Sequence, residues 1–154
     1  MPLGGKIMQD LKGNATLLEP LFELEAFNTL DYALKQGKTP VLATGVLDAQ
    51  RCHLIYALQK CRQKKAVIVT QSELHAKHMY EDLRYFYKDS VKLYPSKDII
   101  FYSADVHSKE INRERFKAID SLLHDDEAVV VMSAAALLNK LTPKDIFRKF
   151  IFLD

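Results

Sequence analysis

Residues 65–70 read KAVIVT and residues 128–133 read AVVVMS, and these two runs decide the fold. Each is short, continuous and rich in β-branched residues, with no polar residue alternating into it, the pattern of a strand covered on both faces. Ser72 follows the first run with a hydroxyl placed to cap the amphipathic helical stretch that extends to about Tyr87. Val91 to Tyr94 reads as another strand, ended by Pro95, and a charged helical stretch over 108–124 leads into the second run. Strand thus alternates with helix. All-apolar strands joined in this way predict an α/β fold with three layers, a parallel sheet flanked by helices.

Outward from this centre the pattern continues. Upstream, Leu17, Leu21, Leu24, Phe27, Leu30 and Leu34 recur at helical spacing, so a helix is expected over residues 17–36. Pro20 is tolerated only near a first turn, which places the start at about 17–19, and Gly37 supplies the stop. Val41 to Thr44 reads as a short strand broken by Gly45, and residues 49–63 as a helix apolar on most sides and therefore mostly buried. Residues 95–106 read as a loop or extended segment. Downstream, a short helix over 134–141, another from Thr142-Pro143 and a strand over 150–153 are expected. Residues 1–16 read as a flexible lead-in and 17–154 as a single domain. The apolar run FIFLD at 150–154 is expected to continue, with 142–154 forming the junction to a following domain.

Composition narrows the function classes. The chain has 154 residues, 48% hydrophobic and 27% charged, with a formal net charge of +2. This is too apolar and too near neutrality for disorder, and it carries no polybasic arm for nucleic acid. No run of eighteen apolar residues offers a membrane span. The first residues, MPLGGKIMQDLKGN, lack the apolar core of a secretory leader, so a cytoplasmic location is expected. Cys52 and Cys61 lie in one helical pattern at a spacing that points them apart, which argues against a disulfide or a shared metal.

The strand–turn–helix around residue 45 stands where α/β proteins bind phosphate. A working loop reads G-x-x-x-x-G-K-[ST]: glycine lets amides curl around phosphate, lysine neutralises charge and a hydroxyl holds magnesium. Here the octet is Gly45-Val46-Leu47-Asp48-Ala49-Gln50-Arg51-Cys52. Gln50 replaces the second glycine and brings a Cβ into the backbone's approach to phosphate. Arg51 replaces the compact lysine ammonium, and the Cys52 thiol is a poor magnesium ligand. Asp48 adds a repelling carboxylate. A degenerate phosphate loop without hydrolytic activity is the reading. The rival is a divergent nucleotide-binding domain in which Arg51 still grips phosphate, and Asp154 after its apolar run reads as a turn residue rather than a magnesium ligand.

Other candidates read as structure. His75 and His78, with Glu81, have a spacing that can bind zinc, but their charged neighbours mark a solvated face and no metal site is expected. Tyr80, Tyr85, Phe86 and Tyr87 read as the core-facing end of a helix with one or two rings at its rim. Lys109, Arg113, Arg115 and Lys117, interspersed with Glu110 and Glu114, read as a solvated face with helix-spaced ion pairs. The basic run KCRQKK at 60–65 sits at a helix C-terminus, where cations suit the dipole. A nucleic-acid module using this run and the tyrosines is a third reading, against which the near-zero net charge weighs.

The order of TGVLDAQRCHL, AVIVTQSELHAKHMYEDLRYF, LYPSKDIIFYSADVHSKEINRERFKAI and VVVMSAAALLNKLTP, over about residues 17–141, resembles the N-terminal module of the bacterial transcription-repair coupling factors (Mfd). That module is related to the excision-repair protein UvrB. The resemblance implies a P-loop NTPase-like fold, similar to the first domain of UvrB, with a decayed phosphate loop at Gly45, Asp48, Gln50, Arg51 and Cys52. The span 94–109 is too short for UvrB's aromatic hairpin, which implies neither ATP hydrolysis nor lesion verification here. The resemblance further implies a non-catalytic scaffold without cofactor or metal of its own. In the family, the full-length protein displaces stalled RNA polymerase from DNA with a separate ATP- and magnesium-driven translocase. It recruits UvrA for nucleotide excision repair mainly through the domain that follows this one. Expected partners are therefore other domains of the same protein directly, with UvrA, RNA polymerase and DNA engaged through those other domains, and no membrane.

Overall fold

A computed structural model describes residues 15–97 and 106–139. The elements expected at 142–154, including the strand over 150–153, and residues 98–105 lie outside the described residues. The chain divides into two compact units, Met1–Ala66 and Val67–Asp154.

The first unit is helical. Where one helix was expected over 17–36, there are two, α1 (Ala15–Phe22) and α2 (Glu25–Lys35). Pro20 sits inside α1 rather than at its start. Proline has no N–H to give the preceding turn, so the helix runs one short turn further and stops. Asn28 then donates its side-chain amide to the Phe22 carbonyl at 2.8 Å, satisfying an orphan acceptor at the break. Phe22 and Phe27 meet edge to face across it, centroids 5.7 Å apart. At the other end Gly37 adopts φ +71 and the expected stop is realised. Its N–H reaches the Leu34 carbonyl at 3.1 Å and that of Lys38 reaches Ala33 at 3.0 Å, a Schellman motif.

Val41 to Thr44 forms no strand, contrary to expectation. Val41 is 39% and Leu42 86% exposed. A run of four apolar residues between Pro40 and Gly45 fixes neither a partner nor a register, and Pro40 removes one ladder donor at its entry. The helix expected over 49–63 is α3 (Asp48–Arg62), with Cys52, Tyr56, Ala57 and Gln59 buried. Among the described residues of this unit, Leu18, Phe27, Cys52, Tyr56 and Ala57 are the buried apolar ones.

The second unit carries the sheet, which begins at the boundary with β1 (Ala66–Thr70). It continues through α4 (Glu73–Tyr87), a 3-10 turn over Lys88–Ser90, β2 (Val91–Tyr94), α5 (Val106–His124), β3 (Val129–Ser133) and α6 (Ala134–Leu138). Among the described residues the strand order is β1-β3-β2. β2 and β3 run parallel, with Val91 opposite Val129 and Tyr94 opposite Met132. This is a mixed α/β unit with a small parallel sheet flanked by helices. All five residues of β3 are buried, as its continuous apolar run requires. Val130 and Met132 pack with Tyr94, Ala118 and Ala136 into one core, while Val129 and Val131 point to the other face. α4 packs on β3 and β2 and buries Ala76, Leu83 and Tyr87.

β1 corrects the expectation for KAVIVT. Val67 is 49% and Val69 47% exposed, so one face is open. β1 is an edge strand of the described sheet, and its apolar run reflects β-propensity as much as cover.

Candidate functional site

Two places hold the groups that could carry chemistry. The first is the turn at residues 45–52. Gly45 adopts φ +75, which an L-residue tolerates poorly, so a glycine is required at this turn. Beyond it, Gln50 and Arg51 are engaged locally. The Gln50 and Arg51 amides both donate to the Leu47 carbonyl, at 2.9 and 3.1 Å. The Gln50 side-chain oxygen turns back to accept the Leu47 N–H at 3.3 Å, half of a capping box. Arg51 lies 3.0 Å from Asp48, so its charge is met by the carboxylate that the motif lacks. Cys52 is buried, with 4% of its surface exposed. The turn carries no intact phosphate-loop motif.

The second place was not legible as a site. At the carboxyl ends of β2 and β3, Glu73, Tyr94, Ser96, Arg115, Ser133 and Asn139 form one polar network. The Glu73 carboxylate accepts the Ser96 N–H at 3.2 Å and the Ser133 hydroxyl. Arg115, only 5% exposed, donates to the Pro95 carbonyl at 2.6 Å and to the Tyr94 hydroxyl, and its guanidinium lies 4.0 Å from the Tyr94 ring centroid. Asn139 donates to Ser96 Oγ at 3.3 Å and to the Ala135 carbonyl at 2.9 Å. Ser133 also accepts the Ala136 N–H at 3.0 Å, capping α6. Burial lowers the Arg115 pKa, against the opposing pull of Tyr94 and Glu73, and raises that of Tyr94, which Arg115 opposes.

Arg115 therefore corrects the reading of residues 109–117 as a solvated charged face. Ile111, Arg115, Ala118 and Leu122 repeat at intervals of four, three and four, which puts Arg115 on the apolar stripe of α5. That spacing was the available signal. The network holds backbone in place: the Glu73 carboxylate is occupied by an amide and a hydroxyl, and the strand ends are tied to α4, α5 and α6. Carboxyl ends of parallel strands are where α/β sheets bind ligands. Here protein groups occupy that position.

The other candidates separate. Ser72 caps α4 as expected, accepting the His75 N–H at 3.3 Å, and its hydroxyl lies 2.8 Å from His75 Nδ1. His75 and His78 are both exposed. Among the described residues no group of three or more His, Cys, Asp or Glu side chains could hold a metal. Tyr87 is buried and Tyr85 is 76% exposed, in accord with a helix end that has one ring at its rim. Cys52 and Cys61 are both free thiols. No helix among the described residues is long and apolar enough to cross a membrane.

No family model matches the chain. No solved structure matches it. Among curated proteins, the chain is 26% identical over 127 residues, 82% of its length, to the transcription-repair-coupling factor of Bacillus subtilis (strain 168). The match covers 11% of that protein, so the chain spans about a tenth of the length of the curated relative it matches. The similarity is weak and partial, and it is to a DNA-repair coupling factor.

Proposed function

We propose that this chain is a non-catalytic scaffold domain of a transcription-repair coupling factor, built like the first domain of UvrB on a P-loop-type sheet whose phosphate loop has decayed. The observation that carries this reading is the likeness over 127 residues to the Bacillus subtilis factor. The turn at 45–52 supports its non-catalytic part, because Gln50 caps a backbone amide, Arg51 pairs with Asp48 and Cys52 is buried. In this reading the domain works in the cytoplasm and packs on other domains of a longer protein. Those domains bind RNA polymerase and DNA, recruit UvrA and contain the motor that uses ATP and magnesium.

A chimera tests it. This chain replaces the matching segment of the Bacillus subtilis factor, and repair of the transcribed DNA strand is measured in cells lacking the native factor. Preferential repair of that strand is the expected result. Its loss in a chimera that accumulates normally and retains the parent's ATPase activity would count against the scaffold reading.

A further inference from the structure

The first unit separates its charges. Glu19, Glu23 and Glu25 stand exposed around the start of α2, and Lys35 and Lys38 stand exposed at its finish. The C-terminus of α3 lies against that finish, where Arg62 donates to the Leu34 carbonyl at 3.4 Å. It adds Lys60, Arg62, Lys64 and Lys65. Residues 31–38 and 59–65 thus bring together six cations and one carboxylate, Asp31, a net +5 against +2 for the whole chain. Near-neutrality of the chain conceals a local basic patch.

Helix electrostatics account for only part of it. A helix C-terminus favours cations within its last turn, which covers Lys35, Lys60 and Arg62. Lys35 also pairs with Asp31. Lys38, Lys64 and Lys65 lie past the last helical residues, Lys35 and Arg62, and all three are exposed. Gly37 at φ +71 and Gln63 at φ 48 turn the chain out of each helix just before them. Three lysines therefore stand where no helix end calls for them.

We propose that this patch binds the phosphate backbone of duplex DNA without regard to sequence. The alternative polyanion is an acidic protein, and the residue types decide between them. Protein–protein interfaces are depleted in lysine and enriched in arginine. Five of these six cations are lysines, and the one arginine is held by a backbone carbonyl. A lysine ammonium acts on phosphate as a point charge, and such contacts position a duplex without reading its bases. The choice of DNA also rests on the function proposed above. The chimera tests that function by repair in cells and the experiment below uses the chain alone, so the two can fail separately.

The test follows the anisotropy of a short fluorescent DNA duplex as the full chain is added. With about three phosphate contacts, from Lys38, Lys64 and Lys65, log affinity should fall against log salt with a slope of about −2.7, roughly 40-fold between about 50 and 200 mM. Lys38→Gln with Lys64→Gln, at unchanged helix content, should bring the slope to about −0.9. Lys77→Gln with Lys117→Gln makes the same change of charge at exposed positions of α4 and α5 and should leave the slope as it is. Equal effects of the two pairs would show diffuse attraction and overturn the proposal. So would an unchanged slope in the first pair, or no binding at the lowest salt. Displacement of the duplex by polyglutamate at lower concentration than by unlabelled DNA would assign the patch to an acidic protein and overturn it as well.

Discussion

Glu73 and Arg115 grip opposite ends of a single peptide unit. Arg115 donates to the Pro95 carbonyl and Glu73 accepts the N–H of Ser96, so a buried cation and a carboxylate are joined through one amide without touching. The peptide dipole is aligned between them, carbonyl toward the cation and N–H toward the anion, and each charge is satisfied at the end of β2. This clamp explains how a buried arginine is tolerated: its donors meet a carbonyl, a phenol and an aromatic face.

If the amide couples the two charges, Glu73→Ala and Arg115→Ala should not be additive. Each alone is expected to cost about 1–3 kcal/mol, since each leaves buried backbone groups poorly satisfied. The coupling energy from the double-mutant cycle should lie within about 0.5–3 kcal/mol. Denaturant unfolding of the four proteins measures it, and strict additivity would mean that the clamp is two independent contacts.

The two caps differ in what else they hold. Ser72→Ala removes an exposed cap of α4 and should cost about 1 kcal/mol. Ser133→Ala removes the cap of α6 and also a hydrogen bond to Glu73 in a fully buried setting, so its cost should be greater, about 2–3 kcal/mol. Chemical denaturation of both variants gives the order, and equal losses would contradict the network.

Cys61 supplies a pH dependence. Burial, with a contribution from the Asp31 carboxylate, pushes its thiol up from 9.0 to about 11, while Lys35 and Arg62 pull the other way. The raised value means that the fold favours the neutral thiol. The associated stability is complete below about pH 9 and is lost as pH rises through about 11. Iodoacetamide should therefore modify Cys61 far more slowly in the native protein at pH 8 than in the unfolded chain. Equal rates would refute the burial assignment.

Gln63 closes α3 in the left-handed region, at φ 48. A side chain there costs about 1–2 kcal/mol that glycine avoids, partly offset by glycine's greater freedom in the unfolded chain. Gln63→Gly should accordingly raise stability by about 0.5–1 kcal/mol, read as an increase in melting temperature. A decrease would show that the Gln63 side chain contributes contacts outweighing the backbone strain.

Local signals in the sequence mark the ends of elements in both units. Ser72 marks the start of α4, Pro95 the end of β2 and, in the first unit, Gly37 the end of α2, because capping and turn chemistry act within a few residues. What failed depended on partners far along the chain. Val41–Thr44 has strand composition but no ladder among the described residues, and KAVIVT could not reveal that β1 lies at an edge. Proline chemistry favours a helix start for Pro20, whereas a short helix accommodates it internally. Arg115 has charged neighbours in sequence, but its position on the Ile111–Ala118–Leu122 stripe sets it inward. The departure of Gln50, Arg51 and Cys52 from the phosphate-loop pattern is visible in the sequence itself. The local pairing of Arg51 with Asp48 is not, since it depends on side-chain direction.

In the proposed scaffold reading the turn at residues 45–52 has no use for a nucleotide. Thermal unfolding of the chain with and without millimolar Mg-ATP tests it, because a ligand bound only by the folded state must raise the midpoint. At about 100 times the dissociation constant the gain is about 2.7 kcal/mol, on the order of 5–10 °C for a domain of this size. The expected result is no shift. A rise of that order that disappears in Arg51→Ala would contradict the account and make this a nucleotide-binding domain.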